Sequence, residues 1–221
     1  IVGDLPEFIE SEPNSLPDLA ESVELPVTIN GQIAGESDLD YFRFKVHQGD
    51  VVGIDVAAMR LGSALDPIVQ LYSPDGRRID AEERRIGADP VMAFRADKSG
   101  EYRLLISNIT YRGGPNYVYR VTLSTAPITE FVFPPGGRIG TGCEIEFFAL
   151  SGGDGHRRIK SSVTFPSAPG EFWVRGPGAN SVPLAVGDFD EVVETDANDS
   201  RETAMRVTLP TTVNGRFESS D

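Results

Sequence analysis

The stretch YFRFKVHQGDVVGIDVAA, residues 41–58, decides the fold class of this chain. Apolar and polar residues alternate through its first half, and the alternation resumes after the Gln-Gly-Asp turn at 48–50. Alternation with a period of two predicts β-strands with one buried face. The stretch therefore predicts two half-buried strands joined by a turn. The side chains expected on the buried faces are Phe42, Phe44, Val46, Val52, Ile54 and Val56.

Similar runs follow at 65–79, 91–107 and 111–124, each containing or preceded by a turn rich in glycine, proline or aspartate. Short alternating runs at this spacing, without a helical period of any length, predict an all-β chain of antiparallel β-sandwiches. The one helical candidate is a turn or two at 16–22. Ser15 with Asp18 has the spacing of a capping box, and Asp199 with Glu202 repeats it.

The chain also repeats itself. Residues 1–37 align without a gap with 185–221, and 13 positions of this alignment are identical. Such a repeat predicts a modular array. We expect 1–9 to be the last strand of a preceding module, 10–126 a β-sandwich, 127–193 a smaller β-domain, and 194–221 the start of a second copy of the sandwich. Neighbouring copies or further modules of the same protein are then the expected partners.

The charge balance excludes one class of partner. There are 34 acidic and 20 basic residues, a formal net charge of −14. A field of this sign repels phosphate, so nucleic-acid binding is not expected. No apolar run approaches the roughly 18 residues of a membrane span. The single cysteine, Cys143, excludes an internal disulfide, and its alternating apolar context predicts a small buried core residue.

The segments ESEPNS (10–15), DLDYFRF (38–44), SPDGR (73–77), GEYRLLISN (100–108) and YRGGPNYVYRVTL (111–123) together resemble the bacterial pre-peptidase C-terminal domain. This β-sandwich follows the catalytic domain of many secreted peptidases and is related to the collagen-binding domains of clostridial collagenases. The resemblance covers about 10–125 and implies a jelly-roll-like sandwich. Residues 127–193 resemble an immunoglobulin-like module of the IPT/TIG kind. Alternation of the two modules is typical of large surface proteins of planctomycete-like bacteria, which implies a secreted or cell-surface location.

Two acidic segments, ESEPN (10–14) and GESDLDYF (35–42), contain candidate metal ligands. Calcium prefers six to eight oxygen ligands, often from closely spaced carboxylates and amides. Calcium-binding relatives supply ligands from the matching positions, so the resemblance implies a calcium site. Relatives often carry Asp or Asn where Ser15 stands, so this chain lacks one strong ligand. The alternative is that these residues cap the short helix and solvate two loops. The predicted ligands are Glu10, Glu12, Asn14, Asp38 and Asp40.

Catalytic motifs are missing from the sequence. His47 and His156 have no ligand-spaced partner, and no Gly-x-Ser-x-Gly, Walker or His-Glu-x-x-His motif occurs. We therefore expect that the chain is not an enzyme. It should instead be a non-catalytic module that serves structural spacing, assembly into a fibre or surface layer, or adhesion. The alternative is a substrate-targeting appendage of a secreted hydrolase that binds an extracellular protein or polysaccharide. An exposed aromatic surface of Tyr102, Tyr117 and Tyr119 would favour targeting, although burial of at least two of them is expected.

Overall fold

The structure is a computed structural model that describes residues 3–79, 84–153, 155–195, 198 and 200–216. Its regular structure in these residues is all-β apart from two single turns of 3-10 helix, Pro17–Leu19 and Met59–Leu61. In chain order the strands are β1 (Glu7–Ile9), β2 (Glu21–Ser22), β3 (Val27–Gln32), β4 (Asp40–Val46), β5 (Val51–Ala57), β6 (Pro67–Tyr72), β7 (Arg78–Ile79), β8 (Arg84–Ile86), β9 (Asp89–Arg95), β10 (Gly100–Asn108), β11 (Val118–Ser124), β12 (Thr129–Phe133), β13 (Gly136–Arg138), β14 (Gly142–Leu150), β15 (His156–Thr164), β16 (Gly170–Arg175), β17 (Ser181–Gly187), β18 (Asp190–Val193) and β19 (Thr211–Asn214).

The first half of the chain forms a β-sandwich. Among the described residues, one sheet has the strand order β1-β3-β11-β5-β9-β8 and the other has the order β2-β4-β10-β6-β7. The chain changes sheets at the 48–50 turn, so β4 and β5 belong to opposite sheets of the sandwich. All six side chains that the 41–58 stretch places inside are buried in one cluster. The prediction of an all-β sandwich is confirmed.

The second half forms a smaller β-domain. Its described strands make one sheet of order β12-β14-β15 and another of order β13-β17-β16. Ile145 and Phe147 alternate into its core as predicted, whereas Cys143 is only partly buried against it. Ile86 and Val91 of the sandwich belong to the same apolar cluster. The two halves are therefore joined by continuous apolar packing.

The repeat in the sequence is also a repeat in the structure. β1 pairs in parallel with β3, with Glu7 opposite Thr28. β18 pairs in parallel with β19, with Glu191 opposite Thr212, which is the same register shifted by the repeat length. Residues 7–9 thus join the sheet of the sandwich that follows them. The division into modules at residues 9, 126 and 193 stays a prediction.

The predicted capping box is wrong in the first copy. The helix Pro17–Leu19 begins after Leu16, and no side chain caps it. Pro17 opens the turn without an N–H to donate, and Ser15 lies before the turn. The Ser15 hydroxyl instead donates to Oδ1 of Asp38 at 3.1 Å. The capping box predicted in the second copy, Asp199 with Glu202, includes Asp199, which lies outside the described residues.

Candidate metal centre

Three of the predicted ligands meet where the chain enters the sandwich. Glu10 follows β1 directly, Glu12 lies two residues further on, and Asp40 is the first residue of β4. One carboxylate oxygen from each lies within 4.8 Å of the others. Asp40 is buried, Glu10 is half-buried and Glu12 is exposed, so the group runs from the core to the surface.

The hydroxyl of Tyr119, on β11, connects two of these carboxyl groups. It lies 2.6 Å from Oδ2 of Asp40 and 3.0 Å from Oε2 of Glu10. One phenol proton can be donated to only one of them at a time. Burial, followed by the two neighbouring carboxylates, raises the pKa of Tyr119 well above its ordinary value, so it stays a donor.

Burial and mutual repulsion favour protonation of this group. Desolvation raises the pKa of Asp40 from 3.8 to about 9, against the Tyr119 hydrogen bond, and the nearby carboxylates add to the rise. Desolvation also raises the pKa of Glu10. Without a cation, burial and repulsion therefore favour the protonated form of the cluster. A bound cation would offset the repulsion between the carboxylates and so favour their ionised forms.

Backbone geometry fixes the position of Glu10. Its N–H donates to the carbonyl of Asn30 at 3.0 Å, and its Oε2 accepts the N–H of Gln32 at 2.8 Å. Gly31, between these two residues of β3, leaves room for the carboxylate. A Cβ at Gly31 would overlap both Oε2 of Glu10 and the Tyr119 ring.

Asn14 is the most unusual residue of the centre. It is fully buried, yet neither Oδ1 nor Nδ2 has a hydrogen-bond partner among the described residues. Its backbone is held in place, because its N–H donates to Oε2 of Glu12 and its carbonyl accepts the N–H of Tyr41. Oδ1 of Asp40 is also buried without a partner in the described structure. Buried polar atoms are normally satisfied, so both groups have unused ligand capacity.

Asp38 has a different role from the other predicted ligands. Its Oδ1 accepts hydrogen bonds from the Ser15 hydroxyl and the Leu39 N–H, and its Oδ2 accepts the Ala34 N–H. It is not part of the group whose oxygens converge. Its charge nevertheless reaches that group and contributes to the raised pKa of Glu10 and Asp40. Asp38 thus orders the loop and adds negative potential.

The arrangement suits a hard cation. The convergent oxygens come from three carboxylates, and the fully buried Asn14 follows Glu12 by two residues. Calcium takes oxygen ligands in flexible geometry and completes its shell with water, so an exposed Glu12 is compatible with it. Magnesium demands a stricter octahedron and keeps more of its own water. The donor set therefore fits calcium best.

Two other predictions concern the tyrosines and the histidines. Tyr102 and Tyr119 are buried, so the expected burial of at least two of the three tyrosines is confirmed. His156, which has no spaced partner in the sequence, lies with Nε2 2.6 Å from Oε2 of Glu130. The rings of Phe131 and Phe148 meet the imidazole edge-on. This pair was not foreseen from sequence, because Glu130 is 26 residues away on β12.

The sequence matches no family model, and it matches no curated protein. One similar solved structure is the pre-peptidase C-terminal domain of collagenase from Bacillus anthracis, at 20% identity and a TM-score of 0.40. The match covers 52% of this chain and 100% of that domain. The described residues contain no helix with the length and apolar character that membrane crossing requires.

Proposed function

We propose that this chain is a non-catalytic, modular segment of a secreted or cell-surface protein, in which calcium stiffens the point where the chain enters each sandwich. The observation that carries the proposal is the convergence of Glu10, Glu12 and Asp40, whose carboxylate oxygens lie within 4.8 Å of one another. Asn14, two residues after Glu12, is fully buried, and its side-chain amide has no hydrogen-bond partner among the described residues. A calcium ion would accept the unused oxygen and neutralise the clustered charge.

Stiffening follows from which segments the ligands occupy. Glu10, Glu12 and Asn14 come from the incoming segment, whereas Asp40 comes from β4 and the supporting Tyr119 from β11. An ion shared by these ligands would fasten the incoming segment to both sheets. Arg120 and Asn30 already hold Glu7 on the same segment, with an Arg120 Nη2–Glu7 Oε1 distance of 2.8 Å. Calcium would extend this attachment from Glu7 to the residues that follow it, 10–14.

The role as a structural spacer is supported by the way the parts are joined. The sandwich supplies Ile86 and Val91 to the core of the second domain. Beyond that domain, the guanidinium of Arg216 lies over the Phe133 ring and 3.8 Å from Oε2 of Glu146. Such contacts restrict hinge motion between successive parts. Assembly and adhesion are roles that a stiff spacer of this kind would serve.

Thermal unfolding in calcium and in chelator tests the proposal. A ligand that binds only the folded state adds about 2.7 kcal/mol at 100 times its dissociation constant. We expect the midpoint to rise by several degrees, with an affinity in the roughly 0.1–1 mM range typical of extracellular modules. Asp40→Asn should abolish the rise, whereas Asp75→Asn, at an exposed aspartate paired with Lys98, should keep it. An unchanged midpoint at several millimolar calcium, together with no heat of binding, rules out the calcium site.

Amide hydrogen exchange tests the stiffening itself. The Tyr41 N–H donates to the Asn14 carbonyl at 3.1 Å, and the Gln32 N–H donates to Glu10. Both amides should exchange more slowly in calcium, because their acceptors would be fixed by the ion. Equal exchange with and without bound calcium would show that the ion does not stiffen this segment.

A further inference from the structure

A cavity lies between the sandwich and the second domain. Its volume is about 380 Å³. Its walls come from three parts of the chain: the segment at 3–5, the outer face of the first sheet, and the second domain at β16 and 179–181. The calcium ligands are not among its lining residues.

A row of polar side chains forms one wall. Thr28 on β3 is the direct register partner of Thr122 on β11, and Thr122 is the partner of Asp55 on β5. Direct partners in a sheet point to the same face, and neighbouring strands lie about 4.8 Å apart. The wall therefore presents two hydroxyls and a carboxylate in line, at intervals of one strand.

An aromatic side chain forms another wall. Trp173 on β16 is the only tryptophan of the chain, and it remains 46% exposed. The guanidinium of Arg60 lies 5.6 Å from the centre of its ring. Nη1 of Arg60 is buried and has no hydrogen-bond partner in the part of the chain that the structure describes. The cavity wall thus combines an apolar ring with the guanidinium of Arg60.

The charged groups of the walls are already paired with one another. Arg60 contacts Asp55 and Asp89, Arg120 contacts Glu7, and Arg175 contacts Asp4. A charged ligand would compete with these pairs. The Arg60 pairs with Asp55 and Asp89 are buried, and removing one partner of a buried pair is strongly unfavourable. A neutral ligand with many hydroxyls would not disturb them. It could accept from the hydroxyls of Thr28 and Thr122 and donate to the carboxylate of Asp55.

We propose that this cavity binds a neutral saccharide unit, either free or at the end of a polysaccharide chain. A sugar ring has an apolar C–H face and a polar rim, which match Trp173 on one side and the row Thr28, Thr122, Asp55 on the other. Aromatic side chains with a few placed polar groups are the usual composition of small-ligand sites. This site is separate from the proposed calcium centre, so either can fail without the other.

The tryptophan makes the test direct, because its fluorescence reports on this cavity alone. We would titrate the full chain, in calcium and in chelator, with cellobiose, maltose, lactose and N,N′-diacetylchitobiose, and confirm binding by calorimetry. At least one should bind saturably with a dissociation constant of roughly 1 mM. Glucuronic acid should bind more weakly than glucose. Retention on an insoluble polysaccharide, inhibited by the matching disaccharide, would identify a chain end as the source; binding of the disaccharide alone would identify free sugar.

Two variants locate the binding site. Thr122→Val removes a wall hydroxyl and keeps the β-branched shape, and we expect binding about tenfold weaker, as for one lost hydrogen bond. Thr164→Val, at an exposed threonine on β15, should bind as the original protein does. Trp173→Ala, followed by calorimetry, should remove binding. If none of the four disaccharides binds up to about 20 mM, or if Thr122→Val binds unchanged, the proposal is overturned.

Discussion

The Tyr119 hydroxyl lies 2.6 Å from Oδ2 of Asp40, although the two residues are 79 positions apart. This contact joins β11 of one sheet to β4 of the other at the edge of the core. It keeps a carboxyl group in a place where burial raises its pKa to about 9. Burial at this position therefore favours the protonated form of Asp40. A bound cation would favour the ionised form instead.

The first prediction concerns pH. Because the folded pKa of Asp40 lies above the 3.8 of the unfolded chain, the folded state binds the proton more tightly. In chelator, the contribution of Asp40 to stability is therefore most favourable at pH 4 and falls as the pH rises toward 9. Calcium competes with this proton, so the calcium-induced rise in melting temperature should grow between pH 5.5 and 8.5. A rise of equal size at both pH values would contradict this competition, and Asp40→Asn should remove the pH dependence.

A second prediction concerns the hydroxyl of Tyr119. Tyr119→Phe leaves the Asp40 and Glu10 carboxyl groups without this partner, which should cost about 1–3 kcal/mol of stability in chelator. Calcium should recover much of the loss, because the ion satisfies the same oxygens. Tyr102→Phe is the matched control, since its buried hydroxyl bonds the Lys98 carbonyl and Asp97 instead. Its loss, measured by urea unfolding, should be the same with and without calcium. Equal calcium responses of the two variants would refute the assigned role of Tyr119.

A third prediction tests the room that Gly31 provides. Gly31→Ala places a methyl group against the Glu10 carboxylate and the Tyr119 ring. Overpacking of this kind costs about 1–3 kcal/mol, and displacement of Glu10 should also weaken calcium binding. Gly35→Ala is the control, because no atom lies within 4 Å of its added Cβ. Calorimetric titration with calcium compares the two. Unchanged binding by Gly31→Ala would mean that Glu10 is not a ligand.

Local pattern was sufficient to predict which faces of the strands are buried. The burial of Phe42, Phe44 and Val52 could be predicted because alternation is visible in a few neighbouring residues. The register between distant strands is not such a property. Tyr119 therefore looked like one more core residue, and nothing near it in sequence pointed to Asp40. The site also depends on the absence of a side chain at Gly31, which a pattern of ligand types does not reveal.

The repeat is a second example of a property, here burial, that local sequence does not predict. Ile29 and Val213 occupy matching positions, in strands with matching register. Ile29 is fully buried, whereas Val213 is 50% exposed, because β19 pairs only with β18 among the described residues. The strands that the repeat relates, β1 with β18 and β3 with β19, pair in the same register. Burial depends on which strands lie beside them, and similarity between the two segments does not contain that information.

The last prediction concerns Arg60, which lies between two buried carboxylates at the junction of the sandwich and the second domain. Its guanidinium reaches Asp55 and Asp89, and all three side chains are largely buried. Desolvation already raises the pKa of Asp55 to about 6 despite the attraction of Arg60. Arg60→Ala would leave both acids without their cation, which typically costs about 3–5 kcal/mol. Because Arg60 also lies over Trp173, the tryptophan emission should shift in the folded variant.

Arg77→Ala is the matched control for this experiment. Arg77 contacts Asp97 at 3.5 Å on the surface, where an ion pair contributes only about 0–1 kcal/mol. Urea unfolding followed by circular dichroism gives the stability of each variant, and fluorescence before unfolding gives the state of Trp173. A large loss for Arg60→Ala with a shifted emission spectrum would show that Arg60 both neutralises the two buried acids of the sandwich and contacts Trp173 of the second domain. Losses of similar size for the two variants would contradict the assigned role of Arg60 as the cation of a buried ion pair.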